Sequence, residues 1–479
     1  MARRLLLVLL AACPLLHAAE QARPNIVWVI AEDMNAWMGC YGDDTVPTPA
    51  IDGMASAGLR FRRAYMTAGV CSATRSALAT GAMQTTLGIH NHRSSRQRVP
   101  EEVIRLPDGV KTIYQLMREA GYFVTTEEMN KNDFNFLWNT KDLYDIDGSA
   151  RPGKGQAKGQ AKRQAPRRNL WRQRPEGKPF FAQVQLHGGK GNGGFAGRTP
   201  TAPAKVAVMP YYPDIPEIRK EIAHHYDNVR QTDQQLAEVL AALGGDGLLE
   251  NTYVFFWTDH GMILYRHKQW VYDAGTRVPL LFQGPGIRPG SVRGDLVSGI
   301  DITATTLALA GQPQPKWFEG RDLLAADHTP RDFVISARDR CDYSIDRVRS
   351  VTTKRFHYLR NFLTDRPFMQ PQYRDGTPFM EAARKLHQQG KLNPVQDFPW
   401  AEARVPEEFY DLENDPHETR NLVDDPAFAE ELDRHRKILA TWIKESGDKG
   451  QQAESLDSLR GVFKQWKGKA VNPEFNPLR

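Results

Sequence analysis

Cysteine is scarce in this chain. Four occur in 479 residues, and only Cys40, Cys71 and Cys341 lie beyond the N-terminal segment. Three cysteines in so large a chain cannot build a disulfide framework, and at least one must stay unpaired. A free cysteine with a chemical use is therefore worth seeking. Long apolar runs are also missing. Residues 5–10 are apolar, but the run breaks before it resumes at Leu15, too short to cross a bilayer as a mature helix. With Arg3 and Arg4 before it and Ala18 and Ala19 after it, the segment reads as an export signal over residues 1–19. The stretch Leu10-Ala11-Ala12-Cys13 also fits a lipoprotein cleavage box with Cys13 as the lipidated residue, behind an unusually short signal. Both readings give an exported, periplasmic or secreted protein with no transmembrane helix, and export removes nucleic acid as a partner. Neither sign of charge dominates: 63 basic against 57 acidic residues leave a formal +6, which favours anionic partners without identifying one. No internal repeat is present.

Patterning then supplies the organisation. Asn25–Ala31 is a continuous apolar run, as expected of a strand buried on both faces of a parallel sheet. Helical spacing follows at 48–57 and at 111–120, where Ile113, Leu116, Met117 and Ala120 recur before Gly121. Residues 180–186 read as a strand, 217–243 as a long amphipathic helix closed by Gly244-Gly245, and 253–258 and 278–283 as buried strands. Alternation of this kind predicts a doubly wound, mostly parallel α/β domain over 23–330. Beyond 330 the texture changes. Strands at 332–336 and 349–360, residues 407–410 leading into a turn at 411–416, and a terminal helix at 430–445 predict a smaller α+β unit over 331–479. Residues 151–174 stand apart, with nine Lys or Arg, no acid and repeated Gly-Gln-Ala-Lys. That is a low-complexity insertion, either a solvated tether or a collector of polyanionic substrate.

Three predicted strands end in reactive side chains. Glu32-Asp33 follows the first, His187 follows 180–186, and Asp259-His260 follows 253–258. Ligands of open α/β sheets bind beyond the carboxyl ends of the strands, and carboxylates from two such ends can converge on one hard cation. Together they point to a metal or catalytic site. Cys71 precedes a run of helix formers, so it is expected at a helix N-terminus, where N–H groups and the helix dipole favour an anion. Arg75 lies one turn further on the same face, able to hold an oxyanion. Cys40 and Cys341 have no motif around them and are expected to be small packing residues.

The run Cys71-Ser72-Ala73-Thr74-Arg75, ending in Thr80-Gly81, resembles the maturation motif of the formylglycine-dependent (type I) sulfatases of the alkaline-phosphatase superfamily. The likeness extends along the chain. It includes Arg23-Pro24-Asn25 with Glu32-Asp33, Thr258-Asp259-His260-Gly261, Lys268 with Tyr272-Asp273-Ala274-Gly275 and Arg277-Val278-Pro279, and Phe409-Tyr410-Asp411-Leu412 with Asp415-Pro416 and Asn421-Leu422. The resemblance implies that Cys71 is converted to formylglycine by a maturation enzyme and that its hydrate attacks sulfur. It implies a Ca2+ site made by Glu32, Asp33, Asp259, His260 and modified Cys71. Arg75 would steady the hydrate, Lys131 and Lys268 would contact sulfate oxygens, and His187 would protonate the leaving oxygen. His90 and His92 are either substrate-pocket or loop residues.

Four departures stand out. Ala73 replaces a proline of the motif, Glu32 an aspartate, and His260 a residue that is often asparagine. A nitrogen donor at position 260 also allows a divalent metal other than calcium. Finally, no histidine follows Lys131 two residues on, where Asp133 stands. Thr67-Ala68-Gly69-Val70, Gly88-Ile89-His90 and Tyr226-Asp227-Asn228 are similar to the heparan N-sulfatase (sulfamidase)-like branch. That branch implies a sulfated saccharide substrate, N-sulfoglucosamine or an O-sulfated algal polysaccharide. Two other expectations remain open. One is a phosphonate monoester or phosphodiester hydrolase of the same superfamily, and the other a silent polyanion-binding protein in which Ala73 prevents maturation.

Overall fold

The computed structural model of the chain describes residues 23–92, 104–128, 131–148, 168–191 and 199–479. The expected leader, with Cys13, and residues 151–167 of the basic stretch lie outside these. Eight strands make the main sheet: Asn25–Ala31 (β1), Leu59–Tyr65 (β2), Phe123–Glu128 (β3), Ile146–Asp147 (β4), Phe180–Gln185 (β5), Thr252–Thr258 (β6), Arg277–Gln283 (β7) and Ser291–Ser298 (β8). Their order is β4-β3-β5-β1-β6-β7-β2-β8. The central strand β1 is buried at every position. Its period-2 alternation explains the unbroken apolar run. Val27, Val29 and Ala31 enter one core, packed with Ile218, Ile222 and Val229 of the helix Pro216–Gly245. Ile26, Trp28 and Ile30 enter a second core with Leu78, Ile113, Met117 and Ile302 of three other helices.

The sheet is mostly parallel, as expected, and β7 is the exception. It runs antiparallel to both β6 and β2. A parallel return would need a long crossover, usually a helix. Residues 259–276 instead form a buried loop with a single turn, Asp273–Thr276, so the chain comes back beside β6 in the opposite sense. The helix expected at 111–120 is Ile113–Glu119. The Thr112 side chain accepts from the Gln115 N–H and the Gln115 side chain accepts from the Thr112 N–H, a capping box that sets the start.

A second, antiparallel sheet follows, of Val334–Arg338 (β9), Val348–Thr352 (β10), Phe356–Asn361 (β11) and Glu407–Asp411 (β12), in the order β12-β11-β10-β9. The stretch 349–360 is thus two strands around a turn. The helix Ala429–Ser446 covers this sheet, and Ile335, Val351, Tyr358 and Phe409 share one core with Ala77 and Ile300 of the main-sheet helices. The smaller sheet is thereby packed onto the helix that begins at Cys71. No helix among the described residues is long and apolar enough to cross a membrane.

Candidate active site

The strands β5, β1 and β6 lie side by side. Ile30 pairs with Gln185 and Ala31 with Thr258, so the three carboxyl ends finish at one level. That register brings Glu32, Asp33, Asp259 and His260 together although 226 positions separate Asp33 from Asp259. The Asp33 N–H donates to Asp259 Oδ1 at 3.0 Å. Asp33 itself is held at φ +44°, a left-handed conformation that costs an aspartate free energy and that clusters at functional sites.

Cys71 opens the helix Cys71–Thr80, whose ten residues are all buried and whose N-terminus has no side-chain cap. The Cys71 sulfur lies 3.2 Å from His260 Nε2 and 3.9 Å from Asp33 Oδ1. His260 Nδ1 is 2.8 Å from the Gly261 carbonyl. A carbonyl only accepts, so Nδ1 carries the proton and Nε2 faces the cluster, the arrangement that orients metal-binding histidines. Asp33, Cys71, Asp259 and His260 each place a ligand atom within 4.8 Å of the others, all buried. Two carboxylates and an imidazole nitrogen suit a divalent cation. The thiol is the one soft donor, and an oxygen at position 71 would make the set harder. Glu32 stands beside this group rather than within it.

Arg75 is the tie between strand ends. Its Nε and Nη2 each donate to Asp259 Oδ2 at 3.2 Å, its Nη1 to Gln185 Oε1 at 2.7 Å, and its Nη2 also to Glu32 Oε1. Burial works against the charged guanidinium, but Glu32 and Asp259 raise its pKa further above the ordinary value. Three lysines complete the ring. Lys131 Nζ is 3.0 Å from Glu32 Oε2, and Lys268 Nζ is 2.5 Å from Asp33 Oδ2. Lys190 Nζ is 2.6 Å from Glu32 Oε2, 3.4 Å from Asp33 Oδ1 and 3.4 Å from the Cys71 sulfur. Burial pushes the Cys71 thiol up, yet Lys131, Lys190, Lys268 and His260 together bring it down to about 7. The same cations, led by Lys190, hold Asp33 well below the usual carboxylate range against its burial. Position 71 therefore sits in a field that stabilises an anion.

Lys190 and Gln185 were not singled out in the sequence. Lys190 arrives on Gly188-Gly189, which no side chain could replace. A Cβ on Gly188 would lie 2.2 Å from the Glu32 carbonyl oxygen, and one on Gly189 would lie 2.1 Å from that of Asp33. The Gly-Gly-Lys-Gly run just past a predicted strand end was the only signal available. His187 is half-buried, and its Nδ1 accepts from Gln235 Nε2 at 2.9 Å. Burial lowers its pKa. His92 is buried, and its Nδ1 is hydrogen-bonded to Ser72 Oγ. With Cys341 and Asp342 it forms a second close group, tied through Ser72 to the start of the Cys71 helix. His90 is half-buried near Asp339 and Arg349, and desolvation lowers its pKa. None of the described cysteines is disulfide-bonded.

Comparison with known proteins agrees with this geometry. A family model described as Sulfatase matches residues 24–312, more than half of the chain. An ulvan-active sulfatase of Formosa agariphila is 28% identical over 94% of this chain and 79% of its own length. Human N-sulphoglucosamine sulphohydrolase is 27% identical over 89% of this chain and 91% of its own. Among solved structures, the phosphonate monoester hydrolase of Agrobacterium radiobacter superposes with a TM-score of 0.65, covering 88% of this chain and 96% of that one at 16% identity. This last likeness concerns the fold alone. The extent of the family match, together with a cysteine set among paired acids at adjacent strand ends, shows that the chain belongs to the sulfatase family.

Proposed function

We propose that the chain is an exported sulfohydrolase of sulfated saccharides that works through an oxidised Cys71 beside a divalent cation, calcium in first place. One observation carries the reading. The Cys71 sulfur, at a buried helix N-terminus, is encircled by Asp33, Asp259 and His260 as candidate ligands and by Lys131, Lys190 and Lys268 as candidate contacts for an anion. The names of the two relatives, one active on ulvan and one on N-sulphoglucosamine, support a sulfated sugar as substrate. Residues 23–330 would carry the chemistry, with 331–479 packed over it.

Conversion of the Cys71 side chain to formylglycine removes sulfur and two hydrogens, adds one oxygen, and supplies the hydrated aldehyde as nucleophile. A cation held by Asp33, Asp259, His260 and position 71 would draw charge from the sulfate under attack, with Glu32 as a further ligand once Lys131 and Lys190 release it. The chain's own residues do the rest. Arg75 bridges Glu32, Gln185 and Asp259, which fixes the strand ends, and lies one turn behind the nucleophile. Lys131, Lys190 and Lys268 neutralise the sulfate oxygens as fixed charges already aimed at the reacting position. His187, oriented by Gln235, is assigned the proton for the leaving oxygen.

Free sulfate measured across defined sulfated oligosaccharides, including N-sulfoglucosamine and ulvan fragments, tests the reading. Chelation should abolish release, and calcium should restore it better than other divalent metals. Parallel assays on an aryl sulfate and an aryl phosphodiester address the second reading, a phosphonate monoester or phosphodiester hydrolase on this same fold. A large preference for the diester would establish that reading instead. The mass of the Cys71 peptide from the native host decides the third. An unmodified thiol with retained polysaccharide binding would make the chain a binding protein.

A further inference from the structure

We propose that Tyr373 is the platform on which the sugar ring of the substrate stacks while its sulfate meets Lys268. The inference rests on the reading of the site as a saccharide sulfohydrolase. Tyr373 is the one aromatic side chain among the described residues that is openly exposed, at 44%. Its neighbours Gln372 and Arg374 are the opposite, both buried. Leaving an aromatic ring in water forgoes the hydrophobic gain of burying it. Here the backbone on either side of the exposed ring is anchored by its two buried neighbours.

Arg374 is the anchor. Its Nη2 donates to the Lys268 carbonyl at 3.1 Å and to Gln269 Oε1 at 2.7 Å, its Nη1 to the Ile263 carbonyl, and its Nε to Gln372 Oε1 at 2.9 Å. The segment that carries Tyr373 is thus bonded to the very loop that carries Lys268. Burial of those hydrogen bonds makes them costly to break, so the backbone that carries the ring is fixed beside the Lys268 loop. Lys268 Nζ lies 5.8 Å from the centre of the Tyr373 ring, and the same nitrogen reaches Asp33 at 2.5 Å. A sulfate against Lys268 would therefore carry its sugar to the face of Tyr373. That face is electron-rich and apolar, suited to the slightly positive C–H face of a pyranose, while the phenol edge tolerates water. The aromatic contact comes from the stretch between β11 and β12, so the smaller half of the chain would help select the sugar.

Steady-state sulfate release from a sulfated saccharide by wild type, Y373A, Y373F and Y373W tests the platform. Y373A should raise KM on the order of tenfold with kcat within about twofold, the loss expected of one stacking contact. Y373F and Y373W, which keep a ring, should stay within about twofold of wild type in KM. The denaturation midpoints of all variants should match, because the ring is exposed. An unchanged KM in Y373A, or an equal rise in Y373F, would overturn the platform while leaving the enzymatic reading intact. No sulfate released from any saccharide by wild type would remove the enzymatic reading and the platform with it.

Discussion

The Lys190 ammonium stands 3.4 Å from the Cys71 sulfur and binds the Glu32 carboxylate at 2.6 Å, joining the start of the Cys71 helix to the end of the central strand. Its pKa is raised well above the ordinary lysine value, since Asp33, Cys71 and Glu32 outweigh the penalty of burial. Lys190 thus stays positively charged beside Cys71, and under the proposed reaction it would act as a fixed charge.

Lys190→Ala should lower kcat for sulfate release on the order of a hundredfold, the loss typical of one preorganised charge aimed at a developing anion. Lys190→Arg should recover part of it. Stopped-time sulfate assays at saturating substrate make the comparison. A kcat for Lys190→Ala near that of wild type would place Lys190 outside the chemistry.

Arg75→Ala should both silence the enzyme and unsettle the fold. Glu32 and Asp259 are fully buried and share this one guanidinium, with Gln185 as its neutral partner. Removing one partner of a buried ionic group typically costs about 3–5 kcal/mol, and Lys131 and Lys190, which still hold Glu32, offset part of that cost. Arg75→Lys should be intermediate, since a point charge cannot bridge Glu32, Gln185 and Asp259 at once. Urea denaturation of the metal-free proteins measures the difference. A cost for Arg75→Ala below about 1 kcal/mol would mean that other cations already neutralise the pair.

Acid sensitivity should arise partly from a residue outside the reacting set, His225. Burial drives its pKa from 6.5 to about 3, its ring meets Trp37 edge-on at 5.2 Å, and its buried Nε2 has no hydrogen-bond partner among the described residues. Between those two values the unfolded chain binds a proton that the folded chain refuses. Stability contributed by the neutral ring is thus complete above pH 6.5 and is lost as pH falls toward 3, at about 1.4 kcal/mol per pH unit. His267 is depressed in the same direction, first by burial and then by His225. His225→Gln should flatten the fall in stability between pH 6 and 4 by about one proton's worth of slope. Parallel slopes for variant and wild type would show that the ring is not the group responsible.

Much of the site was legible in local pattern. A strand buried on both faces must be apolar throughout, so β1, β5 and β6 announce themselves, and the polar residues that end such runs stand out. Glu32, Asp33, Asp259 and His260, which the structure gathers beside Cys71, stood out that way, as did His187, whose ring hydrogen-bonds to Gln235. Cys71 and Arg75 were found by the one-turn spacing of a helix start. Lys190 and Gln185 escaped for a physical reason. Gln185 is a polar residue inside a buried strand, and only the adjacency of β5 and β1 gives it Arg75 as a partner. Lys190 follows two glycines whose need appears only when the Glu32-Asp33 backbone is seen pressed against them.

The sequence alone determined the class of fold, the strands that end in titratable side chains and the one cysteine set in a motif, because each depends on a periodicity or motif spanning a few neighbouring residues. Only the tertiary structure decided that β7 runs backward, that His260 rather than Glu32 joins Asp33 and Asp259 in the close group around Cys71, and that Tyr373 comes to rest beside Lys268. Those outcomes depend on strand order, on packing between segments more than a hundred residues apart and on buried hydrogen bonds. No local pattern encodes such relationships, which come into being only when the chain closes on itself.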